Sequence, residues 1–283
     1  VTGPFALRSP AKINLFLKII GKRPDGYHEL VSLMCGISLA DRIVLRPGTK
    51  AISVACDYPG VPADRTNLAA RAAAAFYEHH RVSERVAIEI DKRIPVGAGL
   101  GGGSSNAASV LNGLNTYYGQ PLTSEKLSAL GATIGADVPF FLFGRPALAT
   151  GVGERLTAFS GLGRHKVLVI YPGFGIPTAG VYKKLNFGLT KCENNLKLFL
   201  LKQNGFIPAQ HLCNDLETVV IPRYPEIATA KMRLMDSWAE GALMTGSGSS
   251  IFGLFAESQT AQTAAEALAP QYGGAVFLAD LLV

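Results

Sequence analysis

Two hydrophobic periods alternate along this chain. Strand-like alternation, the mark of a half-buried strand, runs through Val86-Ala-Ile-Glu-Ile-Asp-Lys-Arg-Ile94. Upstream, Ala11 to Ile20, Leu30 to Cys35, Asp41 to Arg46 and Ala51 to Cys56 read as further strands, with a turn at Lys22-Arg-Pro-Asp-Gly26 between the first two. The helical period appears at Ala107, Val110, Leu111, Leu114 and Tyr118, with Ser104 or Ser105 placed to cap its start. Asn67 opens an earlier helix, whose alanine-rich body from Leu68 to Tyr77 has high intrinsic propensity. Ser124 to Leu130 predicts another capped helix, and Ala147 to Thr157 a hairpin around Gly151-Val-Gly153.

Glycines at Ser160-Gly-Leu-Gly163 mark a boundary before a fresh strand, Lys166 to Tyr171. Beyond it the pattern predicts helices near Lys197–Gln203, Asp215–Val220, Pro225–Glu240 and Thr260–Leu268, and strands near Leu243, Ile251 and Ala275–Leu278. Strands and helices alternate irregularly, which predicts an α+β class for both halves. A chain of 283 residues suggests two domains, placed at 1–160 and 161–283. No solenoid-length repeat is visible.

Composition narrows the class. At 48% hydrophobic and 17% charged, the chain can bury substantial cores and is not of disordered type. A net charge of +6 suits a polyanionic substrate such as a nucleotide. Its lysines and arginines are scattered, without the basic run and interleaved aromatics of a nucleic-acid binder. The early apolar stretch Ile13 to Ile20 is too short for a bilayer and is broken by Asn14 and Lys18. No signal or transit pattern is legible, so the expectation is a cytoplasmic enzyme with no membrane partner. Cys35, Cys56, Cys192 and Cys213 form no Cys-x-x-Cys pair and no zinc-type spacing, and read as free buried thiols.

The chemistry concentrates in Pro95-Val-Gly-Ala-Gly-Leu-Gly-Gly-Gly-Ser-Ser-Asn-Ala-Ala108. A glycine-dense loop between a strand and a helix N-terminus is an anion cradle, because unpaired N–H groups and the helix dipole both favour negative charge. Gly97-x-Gly99-x-x-Gly102 formally matches the dinucleotide fingerprint. Its context does not. A second parallel strand ending in an acidic residue should follow, whereas Gly119-Gln-Pro-Leu-Thr leads into another helix. The Walker A pattern fails as well, since no Gly-Lys-Ser/Thr occurs. A flexible linker would have polar flanks, and these flanks are apolar and periodic.

Other segments join the loop in order: Ser9-Pro-Ala-Lys-Ile-Asn-Leu15, Asp25-Gly-Tyr-His-Glu29, Gly135-Ala-Asp-Val-Pro139 and Met244-Thr-Gly-Ser-Gly-Ser-Ser-Ile-Phe252. Together they resemble the GHMP small-molecule kinases (galacto-, homoserine, mevalonate and phosphomevalonate kinases), in particular the branch acting on a cytidine-diphosphate-linked methylerythritol. The resemblance covers essentially the whole chain. It implies a two-domain fold: an N-terminal α/β domain of a type also found in ribosomal proteins, and a C-terminal ferredoxin-like α+β domain. It implies phosphorylation of the substrate's 2-hydroxyl by ATP with Mg2+, in the non-mevalonate route to isoprenoids, by a monomer or homodimer.

Carried onto this chain, the resemblance gives the ATP phosphates to Pro95, Val96, Gly97, Ala98, Gly99, Leu100, Gly101, Gly102, Gly103, Ser104 and Ser105. It makes Asp137 the general base and Lys12 its cationic partner, the usual division of labour in phosphoryl transfer. Asn14, Tyr27 and His28 would recognise the cytidine-diphosphate substrate, with Tyr182 stacking on cytosine. Asn67, Lys92 and Thr178 would line the adenosine or phosphate region. Many relatives carry Ser-Ser-Asp where this chain has Ser-Ser-Asn106. Some supply a glutamate to magnesium; no counterpart is found here, which leaves ATP, water and a loop serine such as Ser105.

Local sequence alone offers plainer readings. Asp137 precedes Val-Pro and could cap a helix. Lys12 could be a solvated edge residue, His28 a surface-loop histidine, and the Gly246 segment a structural turn. His79 and His80 read as solvated helix-end residues, while His165 and His211 carry no pattern. Two rival functions stand beside the main one: a kinase of the same fold acting on homoserine or mevalonate, and a non-catalytic nucleotide- or RNA-binding protein.

Overall fold

In a computed structural model that describes residues 3–185, 192, 205–273 and 275–283, contacts divide the chain into two units. The first comprises Val1–Ala11, Ala40–Val96 and Gly101–Gly144; the second comprises Lys12–Leu39, Gly97–Leu100 and Arg145–Val283. Two long, mutually paired strands, β1 (Phe5–Lys22) and β2 (His28–Thr49), contribute to both units.

In the first unit the far half of β2 pairs antiparallel with β4 (Arg85–Asp91), and β3 (Ser53–Ala55) adds parallel to β4. Helices α1 (Leu68–His80), α2 (Gly102–Tyr117), α3 (Ser124–Ile134) and α4 (Val138–Phe143) complete this unit. Its core joins Ile43, Leu45, Ile88, Phe76, Val110 and Leu114. Small residues let α2 pack closely: a Cβ on Gly113 would stand 2.6 Å from Leu7 Cδ1.

In the second unit the near half of β2 pairs with β5 (Ala147–Gly151), which turns into β6 (Arg155–Ala158) as the expected hairpin. A four-stranded antiparallel run follows the order β11 (Val276–Leu282), β7 (Lys166–Ile170), β10 (Ile251–Phe255), β9 (Gly241–Met244). Short helices α5 (Thr178–Lys183), α6 (Pro208–His211) and α7 (Glu217–Val220) precede α8 (Pro225–Asp236) and α9 (Ser258–Leu268). Strand β8 (Cys213–Asn214) lies parallel to β1, with Leu17 opposite Asn214. Leu168, Leu234, Phe255 and Leu268 belong to the core of this unit.

Several expectations change. The strands expected at Leu30–Cys35 and Asp41–Arg46 are one strand, because Gly36 and Ile37 between them pair with Leu282 and Leu281. The helix expected from Asp215 is confined to Glu217–Val220, and that from Pro225 ends at Asp236. The helix expected near Lys197–Gln203 lies outside the described residues. Among the described residues no helix is long and apolar enough to cross a membrane.

Candidate phosphate and acceptor site

The glycine run is built on a two-residue period. Gly97, Gly99 and Gly101 have φ of +67°, +78° and +71°, while the intervening Ala98 and Leu100 are buried. Left-handed backbone at every second residue is open to glycine at little steric cost. Gly99 has a further constraint: a Cβ there would run into the Thr245 carbonyl oxygen and stand 3.1 Å from Gly248 O. Gly102 is required by crowding instead, since its Cβ would lie 2.7 Å from Lys92 Nζ and 3.0 Å from Ile94 Cγ2.

Gly101 occupies the N-cap of α2, with no side-chain cap and no acidic residue in the first turn. The expected caps, Ser104 and Ser105, lie inside the helix, because left-handed Gly101 has already turned the chain into it. Ser105 is fully buried and its Oγ accepts from Ser9 Oγ at 2.8 Å. The first-turn N–H groups of α2 thus have no side-chain cap, the arrangement that favours an anion.

Three side chains and one backbone segment brace this helix start in the first unit. Fully buried Asp41 accepts from Lys92 Nζ at 2.5 Å, from Arg93 N and Ile94 N at 2.8 Å, and from Asn106 Nδ2 at 2.9 Å. Lys92 is therefore locked in a buried ion pair directly behind Gly102. Asn106 also donates to Ser9 Oγ at 2.9 Å. An aspartate at 106 would set a second carboxylate against Asp41, so the amide suits its surroundings here. Gly135 brings the Asp137 segment to the loop, its Cβ position 3.5 Å from Ser104 Oγ. Asp137 stands at the N-cap of α4 yet makes no side-chain capping bond, unlike the plain reading of it. Asn67 does cap: its Oδ1 accepts from Ala69 N at 2.9 Å and its Nδ2 donates to Pro62 O at 2.7 Å. The next residue, Leu68, lies 3.3 Å from the Cβ position of Gly103. Pro95 is buried and Val96 is exposed.

The second unit gathers a different set. Lys12 and Asn14 are 3% exposed, within a stretch of β1 buried from Ala11 to Leu17. Lys12 is thus no solvated edge residue; its Nζ donates to Asn14 Oδ1 at 2.6 Å, and its backbone N–H to Leu100 O at 3.0 Å. Asn14 in turn donates through Nδ2 to Ser32 Oγ at 2.8 Å and through its backbone N–H to Thr245 Oγ1 at 3.1 Å. Thr245 Oγ1 reaches Gly99 O at 3.3 Å. A Cβ on Gly246 would be 3.4 Å from both Lys12 Nζ and Asn14 Oδ1. The loop is stitched to its surroundings by Ile176 N to Gly97 O and Ser250 N to Ala98 O, both 3.1 Å. Thr178 Oγ1 and Ser247 Oγ share a 2.8 Å bond.

Two of the expected cytidine contacts also meet in this unit. The rings of His28 and Tyr182 lie 5.3 Å apart, tilted by 41°. Tyr27 is 63% exposed. Burial and the neighbouring Lys22 both lower the His28 pKa, which favours the neutral ring near pH 7.

Sequence reasoning passed over Asp41 and Thr245. Asp41 sits in a strand like any edge carboxylate and is recognisable only by the four donors folding brings to it. Thr245, the one β-branched residue in a glycine–serine run, offered a faint signal. Cys192 and Cys213, expected to be free thiols, form a disulfide with Cα atoms 5.7 Å apart; Cys35 and Cys56 are free. Their spacing of 21 residues carried no local motif, and the fold alone brings them together. Among the described residues the one His/Cys/Asp/Glu group with metal-like proximity is this pair with Asp215, and its sulfurs are bonded to each other.

Comparison with known proteins gives the family. The GHMP kinase N-terminal domain matches residues 67–145, and the GHMP kinase C-terminal domain matches residues 200–274. The chain is 43% identical over 274 residues to a 4-diphosphocytidyl-2-C-methyl-D-erythritol kinase of Syntrophotalea carbinolica, covering 96% of this chain and 97% of that protein. A crystal structure of a 4-(cytidine 5'-diphospho)-2C-methyl-D-erythritol kinase matches with a TM-score of 0.83 and 38% identity, covering 98% and 99% of the two chains. A homoserine kinase from Cytophaga hutchinsonii shares the fold at a TM-score of 0.71 but only 16% identity, over 99% and 96% of the chains. The chain belongs to the GHMP kinases, small-molecule kinases that use ATP, in the branch formed by the 4-diphosphocytidyl-2-C-methyl-D-erythritol kinases.

Proposed function

We propose that this protein transfers the γ-phosphoryl group of ATP to the 2-hydroxyl of 4-diphosphocytidyl-2-C-methyl-D-erythritol, in the non-mevalonate route to isoprenoids. The observation that carries this reading is full-length identity of 43% to a kinase named for that substrate. The loop of alternating left-handed glycines, ending on an uncapped helix start, supplies the phosphate chemistry such a kinase requires. In this reading the two matched domains fall on either side of residue 160, with 1–160 as the ATP-binding half and 161–283 as its companion.

Residues 95–105 hold the ATP phosphates through backbone N–H groups and the dipole of α2. Asp137 accepts the proton of the acceptor hydroxyl as that oxygen attacks the γ-phosphorus. Lys12, held by Asn14, offsets the negative charge developing on the oxygen. Lys92 acts from behind the loop, its charge shared with Asp41. Tyr27, His28 and Tyr182 take the cytosine, and Asn14 the rest of the acceptor. Asn67 and Thr178 border the nucleotide. With magnesium bound to ATP, a loop serine such as Ser105 would help hold the ion, which would offset charge on the phosphates and keep several waters. The reading places the enzyme in the cytoplasm, where ATP is made available, with no nucleic acid or membrane partner.

A coupled assay of ADP release tests this. Cytidine-diphosphate methylerythritol should support turnover, while homoserine and mevalonate should not. Failure with the cytidine compound overturns the reading, and preference for another alcohol replaces it with a kinase of the same fold.

A further inference from the structure

Asn214 is 4% exposed and spends both its amide protons, and its amide oxygen, on backbone groups. Its Nδ2 donates to both Met244 O and Gly246 O at 2.8 Å, and its Oδ1 accepts from Leu216 N at 2.9 Å. Those two carbonyls flank Thr245, so the residue whose hydroxyl reaches Asn14 and Gly99 is pinned on either side. The backbone of Asn214 is anchored as well. It pairs with Leu17 on β1, the strand that carries Lys12 and Asn14, and Asp215 N donates to Leu17 O at 2.9 Å.

Gly246 lies beside the ammonium, with φ +56° and a Cβ position 3.4 Å from Lys12 Nζ. Left-handed backbone costs a glycine little, so the hydrogen bonds to the flanking carbonyls, and not strain, hold this bend. Two buried carbonyls of that bend take both protons of one amide, and an apolar residue at 214 would leave them without that donor.

We propose that Asn214 is a positioning residue for the phosphoryl-transfer site: by fixing the Met244–Gly246 bend it sets where the Lys12 ammonium stands. The catalytic part of this inference rests on the kinase reading above; the geometric part does not.

The test uses the full-length protein and three variants. Asn214→Asp keeps the size and the acceptor for Leu216 N, but an ionised carboxylate donates to neither carbonyl. Asn214→Ala removes all three bonds. Ile227→Val, a truncation in the core of the same unit, reports on lost stability alone. First, Lys12 is labelled with acetic anhydride and read by peptide mass spectrometry. The proposal expects several-fold faster labelling of Lys12 in Asn214→Asp and Asn214→Ala, and none of that change in Ile227→Val. Second, kcat for the cytidine substrate should fall by about 10- to 100-fold in Asn214→Asp, with KM for both substrates nearly constant, as displacement of a reacting group predicts. Lowering the pH should recover part of that loss relative to wild type, because the protonated carboxyl regains one donor.

Unchanged Lys12 labelling in Asn214→Asp overturns the positioning role, whether or not the kinase reading holds. So does a variant that loses melting temperature but keeps wild-type kcat, as Ile227→Val should. A wild-type protein with no turnover contradicts the kinase reading instead, and the labelling result still decides the role of Asn214. Should Asn214→Ala fail to fold, Asn214→Asp carries both measurements.

Discussion

A lysine and an asparagine buried side by side in a strand need a reason, because an ammonium withdrawn from water is costly unless partners surround it. Lys12 meets that need through Asn14, and Asn14 through Ser32 and Thr245. If Asp137 is the general base, Asp137→Asn should lower kcat by roughly 10²- to 10⁴-fold, the usual worth of general-base help, with KM little changed. Full activity in that variant would remove Asp137 from the chemistry while leaving the substrate reading intact. His28 gives a pH signature. Its lowered pKa keeps it neutral near pH 7, so acidification through the depressed pKa charges the ring and should weaken binding of the cytidine substrate. KM for that substrate should rise on the acid side of the ordinary histidine range, because the His28 pKa is lowered from it. His28→Asn should flatten the rise, and a profile identical to wild type would contradict the assignment. At this scale the sequence was legible through motif order and hardly through local chemistry. Lys12 alone looks like an edge residue and Asp137 alone like a cap; burial and the absence of a capping bond distinguish them, and neither is written in their neighbours.

The glycine run was legible as an element, since its apolar flanks and glycine density already describe a cradle. Its internal logic was not. Three different constraints act on glycines a few positions apart: a left-handed turn at Gly97 and Gly101, turn plus contact at Gly99, and crowding by Lys92 at Gly102. Gly99→Ala should therefore cost stability on the order of 1–3 kcal/mol and raise KM for ATP, measured by denaturation and steady-state kinetics. A variant with wild-type KM and stability would show that the loop rearranges freely. The serine-cap expectation failed for the same reason that the loop works: a left-handed glycine starts α2 earlier, and Ser105 turns inward to Ser9. Strand period was read well where one face is wet, as in β4, whose burial alternates along its length. It was read poorly in β1 and β2, where burial on both faces, or pairing through Gly36 and Ile37, erases the alternation. Short helices such as Thr178–Lys183 and Pro208–His211 hold too few residues to show a period.

For the whole molecule, the two units interleave along the sequence, which no composition shift announces. The Cys192–Cys213 bridge likewise comes from tertiary structure. Thiol titration of unfolded protein prepared without reductant should count two thiols, Cys35 and Cys56, and four after reduction. Closing a loop of 21 residues should contribute about 3 kcal/mol on the chain-entropy estimate, read as a shift in denaturation midpoint between oxidised and reduced samples. Four thiols before reduction would contradict the bridge. The central claim concerns the reaction, and the product of ATP and cytidine-diphosphate methylerythritol tests it most directly. Carbon 2 of the methylerythritol bears no hydrogen, so a phosphate on its oxygen has no three-bond proton coupling. The account predicts a new phosphomonoester singlet in the proton-coupled phosphorus-31 spectrum, beside an intact pyrophosphate pair. A doublet or triplet, marking transfer to a secondary or primary hydroxyl, or no new resonance at all, would contradict it.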